Sequence, residues 1–137
     1  TGVQLEVGSV ATDFEHRSYA QELALCQRYF YVAAPKGVNN SIGFGANYNG
    51  STAFIDIQYA VEMRTTPTLD QITGTNYYII YSNGGSEQFN EFNSLDTGTA
   101  NSTRCEMRRE SISITQGSAN FARYYNANSQ IRFTAEL

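Results

Sequence analysis

Lysine occurs once in the chain, at Lys36, and histidine once, at His16. Charged residues of either sign make up only 16% of the 137 positions, and the net charge is −4. A nucleic-acid surface needs clustered Lys and Arg to neutralise phosphates, so this balance excludes one. No apolar run approaches the ~20 residues of a membrane span, which argues against membrane insertion. Thr1-Gly-Val carries none of the basic, apolar or cleavage-site features of a signal peptide. The chain opens on Thr1 rather than Met, which implies a piece cut from a longer protein.

The same scarcities weaken enzyme chemistry. His16 sits in what reads as an N-terminal arm, so a Ser-His-Asp triad or a histidine metal site needs that arm to fold back. It reads instead as a linker histidine. Glycoside hydrolysis needs two carboxylates at a defined separation, one with a raised pKa. Glu87 and Glu91 offer partners, but acids in a polar loop serve first to keep it solvated. Asp56 and Glu62 fall on the polar face of a strand, and Asp96 in Asp-Thr-Gly-Thr has no companion pattern. No P-loop or dinucleotide-binding glycine pattern follows a strand. The sequence reads as non-enzymatic, with no cofactor and no metal. Two cysteines, Cys26 and Cys105, are far too few for a disulfide scaffold. One bridge between them would close a loop of about 80 residues and add ~4–5 kcal/mol in the chain-entropy view.

What the chain has in plenty is Tyr (10), Phe (8) and Gly (11), with many Asn, Ser and Thr. Aromatic and β-branched residues suit half-buried pleated surfaces and the small polar ones suit turns, so the composition predicts an all-β protein. The length fits one domain. Residues 1–17 read as an extended arm in which Val3, Leu5 and Val7 alternate with polar residues until Gly8-Ser9. Glu22–Leu25 is the only run of good helix formers free of Gly, Pro and β-branched residues. A short helix over about 19–26, N-capped by Ser18, is predicted, running into an aromatic strand over 28–32.

From there, strand parity dominates. Ile42, Phe44, Ala46 and Tyr48 fall on one face, with Gly43, Gly45 and Asn47 on the other, and Asn49-Gly50 predicts a type I′ hairpin. In the next strand Ile55, Ile57, Tyr59, Val61 and Met63 point inward against Asp56, Gln58, Ala60 and Glu62, until Thr66-Pro67 ends it. Residues 76–82 are apolar on both faces and close at Asn83-Gly84-Gly85. Residues 87–103 form a polar stretch holding one short strand at most, anchored by Phe89, Phe92 and Leu95. Alternation resumes over 107–115. A final hairpin is predicted from 121–125 and 130–137 around Asn126-Ala-Asn128, with Ile131, Phe133, Ala135 and Leu137 inward. Seven or eight short strands with frequent turns predict an antiparallel β-sandwich, jelly-roll-like, over residues 18–137.

Two stretches, Gln4-Leu-Glu-Val-Gly-Ser-Val-Ala-Thr-Asp-Phe-Glu-His-Arg-Ser18 and Glu22-Leu-Ala-Leu-Cys-Gln-Arg-Tyr-Phe30, resemble a junction in tail-fibre and related structural proteins of tailed bacteriophages. There it joins a carbohydrate-binding-like β-sandwich to a small C-terminal β domain. Val61-Glu-Met-Arg-Thr-Thr-Pro-Thr68 and Phe133-Thr-Ala-Glu-Leu137 fit the same pattern, so the resemblance covers about a third of the chain. It implies that residues 1–17 end a preceding domain. It also implies a virion part made in the host cytoplasm, a homotrimer, and a role in recognising the host surface. Synthesis in a reducing cytoplasm would leave both thiols free, and both are expected buried.

The residues that suit such recognition are aromatics beside amides in turns: Tyr48 and Asn49, Tyr124, Tyr125 and Asn126, and Glu87 and Asn90 in the polar stretch. A tyrosine ring offers a flat apolar face to a sugar, and amides offer paired donors and acceptors to hydroxyls. Each such tyrosine has a plainer reading as a core residue at a strand end. Adjacent strand residues point to opposite faces, so one of Tyr124 and Tyr125 is expected inward and the other outward. Arg104, Arg108 and Arg109, interleaved with Glu106 and Glu110, read as cross-strand charge pairing or as a salt-bridged subunit interface. Three functions fit: glycan recognition on the host surface, a structural trimerisation or folding tip without receptor binding, and a small glycan hydrolase.

Overall fold

Residues 4–10, 12–14 and 16–136 are described by a computed structural model, and among them the chain builds one helix and ten strands. The helix α1 (Tyr19–Gln27) starts where the sequence predicts. Ser18 Oγ accepts the Gln21 N–H at 3.3 Å and Gln21 Oε1 accepts the Ser18 N–H at 2.8 Å. This reciprocal capping box satisfies donors that the first turn leaves open. No residue of α1 is buried, and Leu23 and Leu25 stay partly exposed.

The strands are β1 (Phe30–Val32), β2 (Ser41–Asn47), β3 (Thr52–Gln58), β4 (Thr68–Gln71), β5 (Tyr78–Ser82), β6 (Gly85–Phe89), β7 (Ser94–Leu95), β8 (Arg104–Glu110), β9 (Ala119–Tyr124) and β10 (Ile131–Thr134). They form two antiparallel sheets, a curled seven-stranded one in the order β6-β5-β9-β2-β3-β8-β7 and a three-stranded one in the order β1-β10-β4. The protein is an all-β sandwich with an uneven partition, seven strands against three. Between the sheets lie Ile55, Ile57, Tyr78, Ile80, Phe89, Phe92, Met107, Tyr124, Ile131 and Phe133, all buried. Alternation brings Ile55 and Ile57 in from β3, and Ile131, Phe133 and Ala135 in from the last strand, as their parity predicts.

Buried polar groups stitch the layers together. The Tyr78 hydroxyl donates to the Ile72 carbonyl at 2.7 Å, and the Tyr124 hydroxyl accepts the Ile131 N–H at 2.9 Å. The first reaches from the large sheet to a segment flanking the small one, the second to β10 of the small sheet itself. Gln71 at the end of β4 exchanges two hydrogen bonds with the Phe92 backbone, at 2.7 and 2.9 Å, closing the gap between the sheets at that edge.

Several local expectations give way to long-range pairing. In β2, Ser41 pairs with Arg123 while Gly43 already pairs with Ala122, so Ile42 is an extra residue, a β-bulge. The bulge inverts the parity. Ile42 stays buried, Phe44, Ala46 and Tyr48 turn outward, and Asn47 turns in. Asn49 and Gly50 do not take the positive φ of a type I′ turn. Instead the Asn49 side chain accepts the Ser51 N–H at 2.8 Å, an Asx turn inside a four-residue loop. The third strand ends at Gln58, opposite Arg104, where the Asn101 side-chain oxygen accepts the Thr103 and Arg104 N–H groups at the start of β8, and Tyr59 adds one more bond to the Thr103 carbonyl at 3.1 Å. Tyr59 and Met63 nonetheless remain buried. Pro67 precedes a strand, β4, rather than closing one. The polar stretch holds the end of β6 and all of β7, with Phe89 and Phe92 buried as anchors. Lastly, β9 and β10 are no hairpin. The turn at 126–128 forms, but it carries the chain from the large sheet to the small one.

The expected alternation of Val3 and the inward Leu137 lie outside the described residues. Leu5, Val7 and Val10 are exposed, Leu5 at 98%, and none packs on the sandwich. The Glu6 carboxylate accepts the Thr12 hydroxyl and, at 2.6 Å, the Thr12 N–H; the hydroxyl bond first and the N–H bond second hold it below the usual carboxylate range. Both cysteines are free, but only Cys105 is buried; Cys26 is exposed on α1 because that helix buries no face.

Candidate functional site

The bulge at Ile42 decides what the large sheet shows to solvent. With β2 inverted, Phe44 stands outward and is 68% exposed. Pairing puts Phe44 opposite Phe121 on β9, and Phe121 opposite Tyr81 on β5. Phe121 shares its outward phase with Ala119 and Arg123, while Asn120, Ala122 and Tyr124 point inward. A row of three aromatic rings therefore crosses three adjacent strands on the outer face. Tyr81 and Phe121 stack at 4.9 Å with 12° between planes, and Phe44 follows at 6.1 Å. Outward cross-strand pairs of this kind favour ring contact because opposed Cβ atoms sit about 5 Å apart.

The row floors an open groove of about 320 Å³, bordered by Ser82, Asn83 and Ala119. Ser82 and Asn83 also border a polar groove of about 310 Å³ around the β5–β6 turn, with Ser86, Glu87, Ser113 and Thr115. Two outward positions beyond Phe44, just past the end of β2, Tyr48 is 68% exposed and meets Phe54 edge to face at 5.8 Å. Arg123 lies over the rings, its guanidinium carbon 4.9 Å from the Phe121 centroid and 5.7 Å from that of Tyr81, within cation–π range.

Beneath this face the glycines of β2 hold the sheet close. A Cβ at Gly45 would sit 1.9 Å from the Phe54 carbonyl oxygen, so only glycine fits there. Asn47 and Asn120 join beneath it, the Asn120 carboxamide donating to Asn47 Oδ1 at 2.7 Å and the Asn47 carboxamide donating to the Thr115 carbonyl at 2.9 Å. The platform thus rests on fixed backbone rather than on loops.

The residues singled out from the sequence do not converge. Tyr48 belongs to the aromatic face, with Asn49 beside it, but the Asn49 amide oxygen is engaged with Ser51. Glu87 lies in the adjoining polar groove and accepts the Ser113 N–H at 2.7 Å. Asn90, Tyr125 and Asn126 lie toward the opposite end of the sheet. Asn90 accepts the Asn76 N–H at 3.0 Å, and Asn126 accepts the Asn128 N–H at 2.9 Å. Tyr124 is fully buried and offers no ring face to solvent, while Tyr125 is 41% exposed. Burial pushes the Tyr124 and Tyr78 hydroxyls above the ordinary tyrosine range, as core residues require.

Phe44, Tyr81, Phe121 and Arg123 are the residues that turn-centred reasoning passes over. A signal for them exists in Phe121-Ala-Arg123 and in the glycines at 43 and 45. Strand residues opposite small neighbours leave the packed side to the glycines and the open side to the rings. Among the charged side chains, Arg104 bridges Asp56 at 3.0 Å across strands and Glu106 at 3.5 Å along one, and Arg108 pairs with Glu110. Arg109 lies 5.0 Å over Phe89 and donates to the Glu91 carbonyl. Among the described residues no cluster of His, Cys, Asp or Glu has the spacing to hold a metal ion. Comparison of the chain with protein-family models, with curated proteins and with solved structures found no match.

Proposed function

We infer that the chain is a non-catalytic adhesion domain that binds saccharides on the outer face of its seven-stranded sheet. The observation that carries this is the outward row Tyr81, Phe121 and Phe44, in which the Phe44 ring is exposed and the other two are half-buried. Flat aromatic surface beside a polar groove matches a sugar ring, which has an apolar face of C–H bonds and an equator of hydroxyls. The neighbouring groove supplies Asn83, Ser86 and Ser113 for those hydroxyls. Sheet strands hold the rings in place, so little side-chain order has to be gained on binding.

The resemblance of residues 4–30 to phage tail-fibre junctions supplies the setting for this reading. The domain would sit on the virion as a fibre-tip homotrimer and recognise glycans of the host cell surface. Repeated copies amplify a modest affinity per site through avidity. The test is a glycan array and host-cell adsorption with the purified domain. Binding to defined saccharides, lost in Phe44→Ala with an unchanged melting temperature, supports the reading. No binding to either array or cells removes it.

A second reading rests on a different observation. Leu5, Val7 and Val10 of the arm, with Tyr19, Leu23 and Leu25 of α1, are exposed apolar side chains. A structural assembly tip would cover them with further copies and bind no receptor. In that case substitutions at Leu5 and Val7 change the oligomeric state, and those at Phe44 change nothing in adsorption.

A further inference from the structure

We propose that the saccharide bound on this face is an acidic one, a sugar carboxylate held by Arg123. The inference rests on the saccharide reading of the aromatic row and narrows it. Arg123 differs from the other arginines of the sheets. Arg104, Arg108 and Arg132 each pair with a carboxylate, Arg132 with Asp70 at 2.8 Å. Arg109 has the Glu91 carbonyl and Asn93 Oδ1, each at 3.4 Å. Among the described residues Arg123 has no carboxylate within ion-pair distance. Its partners are the faces of Phe121 and Tyr81 alone.

Its neighbours in the sheet do not supply a counter-ion either. Arg123 pairs in register with Ile79 and Ser41, both neutral. The acids nearest in the row, Asp56 opposite Phe44 and Glu106 beyond it, are bound to Arg104. A cation without a counter-ion among the described residues, in a chain of net charge −4, therefore stands on the outward aromatic row. The Arg123 Nε is buried without a partner, so the terminal NH2 groups are what the side chain offers a planar anion, which a carboxylate matches with two parallel hydrogen bonds. The Arg123 guanidinium covers the Phe121 and Tyr81 rings, 4.9 and 5.7 Å from their centroids, so a sugar ring seats on the neighbouring exposed Phe44 ring, 6.1 Å from Phe121, with its carboxyl directed toward Arg123.

The test compares saccharides with their methyl esters, in which the carboxylate charge is removed and the sugars are kept: oligogalacturonate against its methyl ester, and sialyllactose against its methyl ester. At least one carboxylated member should bind, and its neutral counterpart about ten-fold or more weaker, the scale of one charged hydrogen-bonded pair. Arg123→Gln should abolish the difference and Arg123→Lys should keep part of it. Added salt should weaken the carboxylated member only. Equal binding of charged and neutral members overturns the acidic inference and leaves the saccharide reading standing. So does a preference that survives in Arg123→Gln. Binding of no saccharide, charged or neutral, overturns both. Should Arg123→Gln fail to fold, the methyl-ester comparison on the unsubstituted domain still decides.

Discussion

The Tyr124 hydroxyl accepts the Ile131 N–H at 2.9 Å and donates to the Ala34 carbonyl at 3.3 Å, so it holds a strand of the small sheet against the large one. Its sequence neighbour Tyr125 has neither role and faces solvent. Tyr124→Ala should cost ~3–5 kcal/mol through lost burial and an unsatisfied N–H, and Tyr125→Ala under about 1 kcal/mol. Urea denaturation of the two variants measures both. The cysteines divide in the same way. Native alkylation should label Cys26 alone, and denaturation should be needed to label Cys105. Burial, the largest cause, pushes the Cys105 thiol from 9.0 up to about 11. The unfolded chain therefore loses this proton before the folded one does. The resulting stability, on the order of 2–3 kcal/mol, is fully present below about pH 9 and is lost as pH rises toward about 11. Denaturant melts should show the decline beginning near pH 9, and Cys105→Ala should lessen it; above about pH 10 the buried Tyr78 and Tyr124 hydroxyls, also raised by burial, add their own loss.

At the scale of elements, β2 shows what a sequence holds and what it leaves to partners. The parity of Ile55 and Ile57 in β3 and of Ile131 and Phe133 in β10 could be read directly, because each strand has one packed face and a one-residue slip would bury charges. Ser18 and Gln21 likewise announce α1, since capping is a local matter. The parity of β2 could not be read, because the bulge at Ile42 exists only against β9. The same holds for β9 and β10, where the turn at Asn126 is legible but the choice of sheet is made by distant strands. The polar edge strand β6, Gly-Ser-Glu-Gln-Phe, has little strand propensity of its own and forms by pairing with β5. Most of the core was thus legible, and the aromatic face was not, since one bulge decides it. Gly45→Ala tests this element: its Cβ would meet the Phe54 carbonyl oxygen at 1.9 Å. It should destabilise by about 2 kcal/mol or more, shift the melting temperature down and disturb the face that Phe44 displays.

For the whole molecule, the arm and α1 set the first expectation. Leu5, Val7, Val10, Leu23 and Leu25 are exposed apolar side chains of the arm and helix that further copies of the chain would cover. Light scattering at micromolar concentration should report a closed oligomer, and a single species of 15.2 kDa would contradict that. Assembly and binding are placed on different surfaces in this account, the first on the arm and helix, the second on the outer sheet face. The measurement that bears most directly on the central claim is therefore paired: adsorption to host cells, or to the saccharides found on an array, together with melting temperature, for Phe44→Ala against the unsubstituted domain. Phe44 is 68% exposed, so its truncation should leave the melting temperature within a few degrees while binding falls about ten-fold. Unchanged binding with unchanged stability would contradict the claim that the aromatic row is the recognition surface.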